Sequence, residues 1–136
     1  MAEMVQPVEY YYIQTANKPG EAFRALSLLK QAGVDLLAFS GFPSGRRSQL
    51  DFIPVDAKAF TQVARKAGWK LSPKKTGFLI QGEDRVGALS DVLGKLAAAK
   101  VNVTAVDAVT SGDGFYGAIL WVKPEDNKRA AKALGV

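Results

Sequence analysis

The chain has 136 residues, of which 48% are hydrophobic and 23% charged, and its net charge is +5. This composition is typical of a folded globular chain with room for one ordinary domain or two small ones. Cysteine and histidine are absent, which excludes disulfides, thiol nucleophiles and nearly all zinc or copper sites. We therefore expect no enzyme activity, no bound metal and no cofactor.

Hydropathy and charge predict where the protein is located and what role its basic residues have. No apolar run approaches the roughly 20 residues that cross a bilayer, and the N-terminus lacks the basic-then-apolar order of a signal peptide. We expect a cytoplasmic protein that makes no membrane contact. The cations occur as scattered pairs, which we interpret as solvated faces, with an RNA- or phosphate-binding surface as the weaker alternative.

The predicted elements begin with a strand at residues 10–15, which is rich in aromatic and β-favouring side chains. A helix follows, because Phe23, Leu26 and Leu29 recur at the spacing of one helical face. We expect this helix to end near Gly33 and all three side chains to lie in the core. The order continues with strands at residues 34–40 and 49–55, a helix over residues 60–67 and a possible last strand at residues 69–73.

The second half of the chain repeats the first. A shift of 67 positions, with no gap, places Gly20 on Gly87 and Leu29 on Leu96. A duplication explains such a register best. The second copy has predicted strands at residues 76–81, 101–109 and 115–122, and predicted helices over residues 89–96 and 130–134.

The two copies predict the fold class and the domain limits. Each reads as a βαββαβ unit, which makes an antiparallel sheet with both helices on one face. We predict an α+β protein of two ferredoxin-like units packed side by side, residues 9–73 and residues 74–136. The second copy ends before its last strand, and we expect residues 3–9 or a partner subunit to cover that sheet edge. Because each unit is small, a homodimer is also expected.

One glycine motif has two interpretations. Residues 112–117, GDGFYG, match the G-x-G-x-x-G pattern of dinucleotide-binding loops. That pattern must open a helix, whereas here it leads into a predicted strand, so a hairpin turn is favoured. The aromatic strand at residues 10–15 also suggests an RNA-recognition domain, but residues 113–119 fit its third-strand motif poorly.

The turn before the first helix recurs in both copies. A short polar residue and a cation, Asn17-Lys18 or Asp84-Arg85, precede a glycine that opens the helix. Unpaired amide groups and the positive end of the helix dipole meet there, an arrangement that suits a carboxylate. A well-capped helix start, with Pro19 at the first helical position, is the simpler alternative.

These turns, NKPGEAF and DRVGALS, and the runs AGVDL and KVNV that leave the helix, resemble the ACT domain. ACT domains are βαββαβ modules that sense amino acids in metabolic enzymes and regulators. The resemblance covers most of both copies, so the chain looks like a tandem ACT protein without an attached catalytic domain. Three positions depart from the family pattern: Val86 replaces a proline, Lys100 a glycine and Asp35 an asparagine.

The resemblance implies a function and a site. It implies an allosteric, regulatory protein that binds a free amino acid and acts on a metabolic enzyme or transporter. In that family, ligands lie where the first turn of one unit faces the second strand of a neighbour. Transferred by position, the implied ligand-binding residues are Asn17, Lys18, Gly20, Asp35, Asp84, Arg85, Gly87 and Asn102. A structural or oligomerisation module without a ligand is the alternative.

Overall fold

The computed structural model describes residues 3–136. The chain forms two compact units. The first unit comprises residues 9–75, and the second comprises residues 76–136 together with the N-terminal residues up to 8. The second unit therefore contains both ends of the described chain.

The first unit follows the predicted order, with a sheet in which β3 lies between β2 and β1. Both strand pairs are antiparallel, and Tyr12 of β1 lies opposite Asp51 of β3. The turn GFPSGRR joins β2 and β3 in a hairpin. The elements are β1 (Met4–Ala16), α1 (Glu21–Gln31), β2 (Leu36–Ser44), β3 (Arg47–Pro54) and α2 (Ala57–Lys66).

The second unit repeats this order, with β6 between β4 and β5 and both pairs antiparallel. The GDGFYG segment makes the β5–β6 turn, with Gly112 and Gly114 at φ 86° and 91°. The hairpin prediction is confirmed, and the dinucleotide interpretation is wrong. The elements are β4 (Lys75–Glu83), α3 (Ala88–Ala98), β5 (Val103–Thr110), β6 (Phe115–Val122), a short 3-10 turn (Pro124–Asp126) and α4 (Asn127–Leu134).

Each unit has its own core between its helices and one face of its sheet. In the first unit the rings of Phe52, Phe60 and Trp69 pack together, with Phe52 5.3 Å from Phe60 and 5.5 Å from Trp69 between ring centroids. In the second unit Leu96 of α3 and Leu120 of β6 are fully buried in one cluster. The predicted α+β class, with antiparallel sheets and helices on one face, is confirmed.

The helix faces agree with the prediction except at Phe23. Ala25 and Leu29 are the buried residues of α1, and Leu26 packs against the same core. Phe23 is 73% exposed, so its predicted core position is wrong. Successive helical residues turn by about 100°, which places residue 23 far round the helix from Ala25.

The last strand predicted for the first unit does not form as a regular strand. Residues 69–73 have no regular strand, although the Ser72 amide donates to the Tyr12 carbonyl at 2.9 Å. The repeat shift aligns residues 3–8 with residues 70–75. In the second unit β1 is the neighbour of β4, and Val5 packs against the core. The limits of residues 9–73 and 74–136, with residues 3–9 or a partner subunit covering the edge of the second sheet, stay a prediction.

Candidate functional site

The first helix of the first unit begins without a side-chain cap. Gly20 is its N-cap residue at φ 94°, a left-handed conformation that glycine adopts without strain, and no side chain bonds to the first turn. Pro19 lies before this cap and not at the first helical position, which corrects the prediction. Because no side chain satisfies the first-turn amides, they are available to an anion.

A cleft of about 460 Å³ opens beside this helix start. The turn contributes Asn17, Lys18 and Gly20 to its lining, so three of the predicted ligand-binding residues lie together. The Ser48 hydroxyl donates to Asn17 Oδ1 at 3.1 Å, and Lys18 Nζ lies 3.8 Å from Glu21 Oε1. These contacts hold the amide and the ammonium group at the rim.

Side chains from the β2–β3 hairpin form the other side of this cleft, and the sequence analysis missed them. They include two aromatic rings, of which Phe42 is 38% exposed. The pairing of β3 with β1, which sets Ser48 opposite Thr15, brings this hairpin to the helix start, so no local sequence signal identifies it. The hairpin residues are Phe39, Gly41, Phe42, Pro43, Ser48 and Leu50.

The equivalent turn of the second unit is built in the same way. Gly87 is the N-cap of α3 at φ 80°, again without a side-chain cap. Asp84 is exposed, and its backbone amide donates to the Gly114 carbonyl at 2.9 Å. Arg85 Nη2 donates to Asp91 Oδ2 at 2.7 Å, and this hydrogen bond raises the pKa of Arg85. The predicted cation is therefore tied to its own helix.

Asp35 and Asn102 lie away from these helix starts. Each follows the far end of the first helix of its unit, and 11 helical residues span about 16 Å. Both are exposed, and Asp35 Oδ1 accepts a bond from the Leu36 amide at 2.8 Å. Within one unit, the structure does not bring Asp35 to Asn17 or Asn102 to Asp84.

A buried carboxylate of the first unit was not singled out from the sequence. Asp51 of β3 is fully buried, and its Oδ1 accepts a bond from Gln49 Nε2 at 3.0 Å. Burial raises the pKa of Asp51, against the opposing effects of the Gln49 bond and the charge of Lys75. Burial, assisted by the Asp51 charge, also raises the pKa of Tyr10 to about 12. Along β3, Asp51 lies between the core residues Leu50 and Phe52. Strand alternation alone would therefore place the Asp51 side chain on a polar face.

Between residues 3 and 136, no three acidic side chains converge in a group that could hold a metal ion. None of the helices in that range is long and apolar enough to cross a membrane.

The family and structural comparisons agree with this architecture. The ACT domain family matches residues 78–136. No curated protein matches the sequence significantly. A solved protein from Bacteroides thetaiotaomicron superimposes with a TM-score of 0.81 at 17% identity, over 96% of this chain and 88% of that one.

Two aspartate kinase regulatory subunits share the fold over nearly the whole chain. The ligand-free subunit from Thermus thermophilus gives a TM-score of 0.65 at 13% identity, covering 98% of this chain and 94% of that one. The subunit from Thermus flavus gives 0.56 at 18% identity with the same coverage. Residues 78–136 therefore match the ACT domain, and the first unit repeats the order of strands and helices found in that segment.

Proposed function

We propose that this chain is a non-catalytic regulatory protein that binds a free amino acid through its ACT-like units. The observation that supports this most directly is the helix start found twice, with a left-handed glycine and no side-chain cap. Amides that no side chain satisfies bind a carboxylate well, because the helix dipole adds a favourable potential. Proteins with the same fold include aspartate kinase regulatory subunits, which supports a metabolic enzyme as the regulated partner.

The first unit supplies a complete wall for such a ligand. The amino acid carboxylate would meet the amides after Gly20, and Lys18 would add a positive charge. The Asn17 carbonyl oxygen has two lone pairs and uses one of them for Ser48. The other would accept a bond from the ligand ammonium group. The rings of Phe39 and Phe42 would then contact the ligand side chain.

The second wall is proposed to come from another subunit. Asp35 and Asn102 lie at the far helix ends, so they reach a helix start only when a neighbouring unit presents them. Asp35 keeps one carboxylate oxygen for an ammonium group, because only Oδ1 bonds to the Leu36 amide. A homodimer would supply this arrangement, and the ligand would then stabilise the dimer. Sedimentation velocity with and without ligand measures this directly.

A thermal-melt panel over the free amino acids tests the proposal. A specific ligand at 100 times its dissociation constant should add about 2.7 kcal/mol to the free energy of unfolding. If no amino acid at millimolar concentration shifts the melt, sensing by this chain is refuted.

Site variants then test the assigned residues. If an amino acid shifts the melt, Asp84→Ala with Asn102→Ala should remove the contribution of the second unit, and Asn17→Ala that of the first. Asp107→Ala, an exposed carboxylate on β5, is the matched control and should keep the full shift. A full shift in both site variants would contradict the site assignment.

An assembly role without a ligand is the second candidate. It is favoured by Phe23 and Phe42, which are 73% and 38% exposed and line the same cleft, because contiguous exposed apolar surface marks contact sites. Phe23→Ser would then weaken self-association at every amino acid concentration. Under the sensing proposal, the association would depend on the ligand.

A further inference from the structure

A second cleft lies in the first unit, on the other side of the α1 helix start from the proposed amino-acid site. It has a volume of about 440 Å³ and is lined by the end of β1, one side of α1 and the residues after α2. We call it the Lys70 cleft. Its lining includes Thr15, Arg24, Arg47, Trp69 and Lys70.

The charge of the Lys70 cleft is positive. Arg24 is neutralised by Glu21, with Nη2 3.1 Å from Oε2. Arg47 Nη2 donates to the Gln14 carbonyl at 3.1 Å, and this neutral acceptor leaves the guanidinium charge uncompensated. Among residues 3–136, neither Arg47 nor Lys70 forms an ion pair. Two cations at one rim favour an anion.

The wall below these cations is apolar and fixed. Trp69 is half-buried, and its ring stacks on Phe52 at 5.5 Å and meets the edge of Phe60 at 6.2 Å. Ile13 and Ala25 are buried in the same lining. An indole held by two core rings offers a flat, rigid surface to a ligand ring.

The second unit shows what occupies the equivalent place. The repeat shift pairs Lys70 with Glu3 and Thr15 with Gly82. The Glu3 side chain is 8% exposed, and its Oε2 lies 3.9 Å from Arg85 Nη2 and has no hydrogen-bond partner. Glu3 Cγ and Oε2 lie 3.0 and 3.1 Å from the point that a Cβ on Gly82 would occupy. A carboxylate of the chain itself is therefore packed against this part of the second unit.

The charges at equivalent positions are reversed between the copies. The first unit has Lys70 and Arg24 where the second has Glu3 and Asp91. Glu3 thus brings its own negative charge close to Arg85 in the second unit. The first unit instead keeps an open cleft in which, among the described residues, Arg47 and Lys70 have no ion-pair partner.

We propose that the Lys70 cleft binds a small organic anion that carries an apolar ring. The anionic group lies between Arg47 and Lys70, and the ring lies on Trp69. The second unit has the carboxylate Glu3 at the position equivalent to Lys70, so only the first unit takes such an anion from solution. This site requires no ammonium acceptor, which distinguishes it from the amino-acid site at Gly20.

Calorimetric titration of the full chain with phenyl phosphate tests this proposal. We expect binding to the unaltered chain and at least about tenfold weaker binding to Lys70→Glu, because the substitution replaces an attraction by a repulsion. Lys58→Glu, an exposed cation of α2 outside the cleft, makes the same charge change and should bind normally. Absence of binding, or equal weakening in both variants, overturns the proposal.

Two further measurements complete the test. Inorganic phosphate should bind more weakly than phenyl phosphate, and equal affinities would overturn the assignment of an apolar ring. Circular dichroism should show that Lys70→Glu is folded, and if it is not, Lys70→Gln replaces it with the same expected direction. Any amino-acid melt shift should persist in Lys70→Glu, so failure of this site and failure of the amino-acid site give different results.

Discussion

Two glycines seven residues apart in the second unit should respond oppositely to the same substitution. Gly87 has φ 80° and precedes α3, whereas Gly94 lies inside that helix. An added Cβ meets no heavy atom within 4 Å at either position, so steric overlap contributes to neither variant. The outcome therefore depends on backbone conformation alone.

The magnitudes follow from those conformations. Gly87→Ala forces an L-residue into the left-handed region, which costs about 1–2 kcal/mol. Gly94→Ala removes backbone freedom from the unfolded chain and improves helix propensity, a gain of about 0.5–1 kcal/mol. The two variants should differ in their free energies of unfolding by about 2 kcal/mol, the sum of these effects.

Urea unfolding followed by far-UV circular dichroism measures the difference. The slope of unfolding free energy against urea should stay constant, because neither variant changes the surface exposed on unfolding. Hydrogen exchange of the α3 amides should show the same ranking locally. If Gly87→Ala is as stable as the unaltered chain, the left-handed helix start described here is refuted.

Two further predictions concern residues outside the candidate sites. Lys100 has φ 60° where the first copy has Gly33 at φ 73°. Lys100→Gly should therefore raise the free energy of unfolding by about 1 kcal/mol in urea unfolding, and Gly33→Ala should lower it. A loss of stability in Lys100→Gly would contradict this. Asp51→Asn should raise the free energy of unfolding at pH 7 by about 1 kcal/mol or more, because the buried carboxylate is then no longer charged. Since burial raises the folded-state pKa of Asp51 above its ordinary 3.8, its protonation stabilises the fold below that value and this stabilisation is lost as the pH rises through the raised pKa. The advantage of Asp51→Asn should therefore shrink as the pH falls towards 4, and an advantage independent of pH would refute the role of ionisation.

Local patterns predicted the elements well where the deciding interactions are local. The Gly33 helix end, the β5–β6 hairpin and the buried Leu29 and Leu96 follow from turn chemistry and helical spacing. Phe23 fits the same spacing yet is exposed, because α1 places Ala25 towards the sheet instead. Periodicity defines a stripe on a helix, and only packing decides which edge of that stripe is covered.

The candidate sites were harder to predict from the sequence than the helices and strands, because most of their residues meet only in the tertiary structure. Asn17, Lys18 and Gly20 are neighbours in sequence, so a local pattern sufficed to group them. Ser48 reaches the same cleft through the β1–β3 pairing, and Phe42 reaches it through the β2–β3 pairing. The burial of an acidic residue inside a strand could not be read from alternation, because that pattern assigns faces and not what covers them.

The sequence by itself determined the duplication, the βαββα order and the repeated helix start, because each rests on residues close together in the chain or on one constant shift. The tertiary structure alone decided that Glu3 lies against Gly82 and near Arg85, and that the equivalent Lys70 borders an open cleft. The physical reason is chain distance: Glu3 and Arg85 meet only when the first strand lies beside β4. The two copies share one fold, yet they carry opposite charges at the equivalent positions of Lys70 and Glu3.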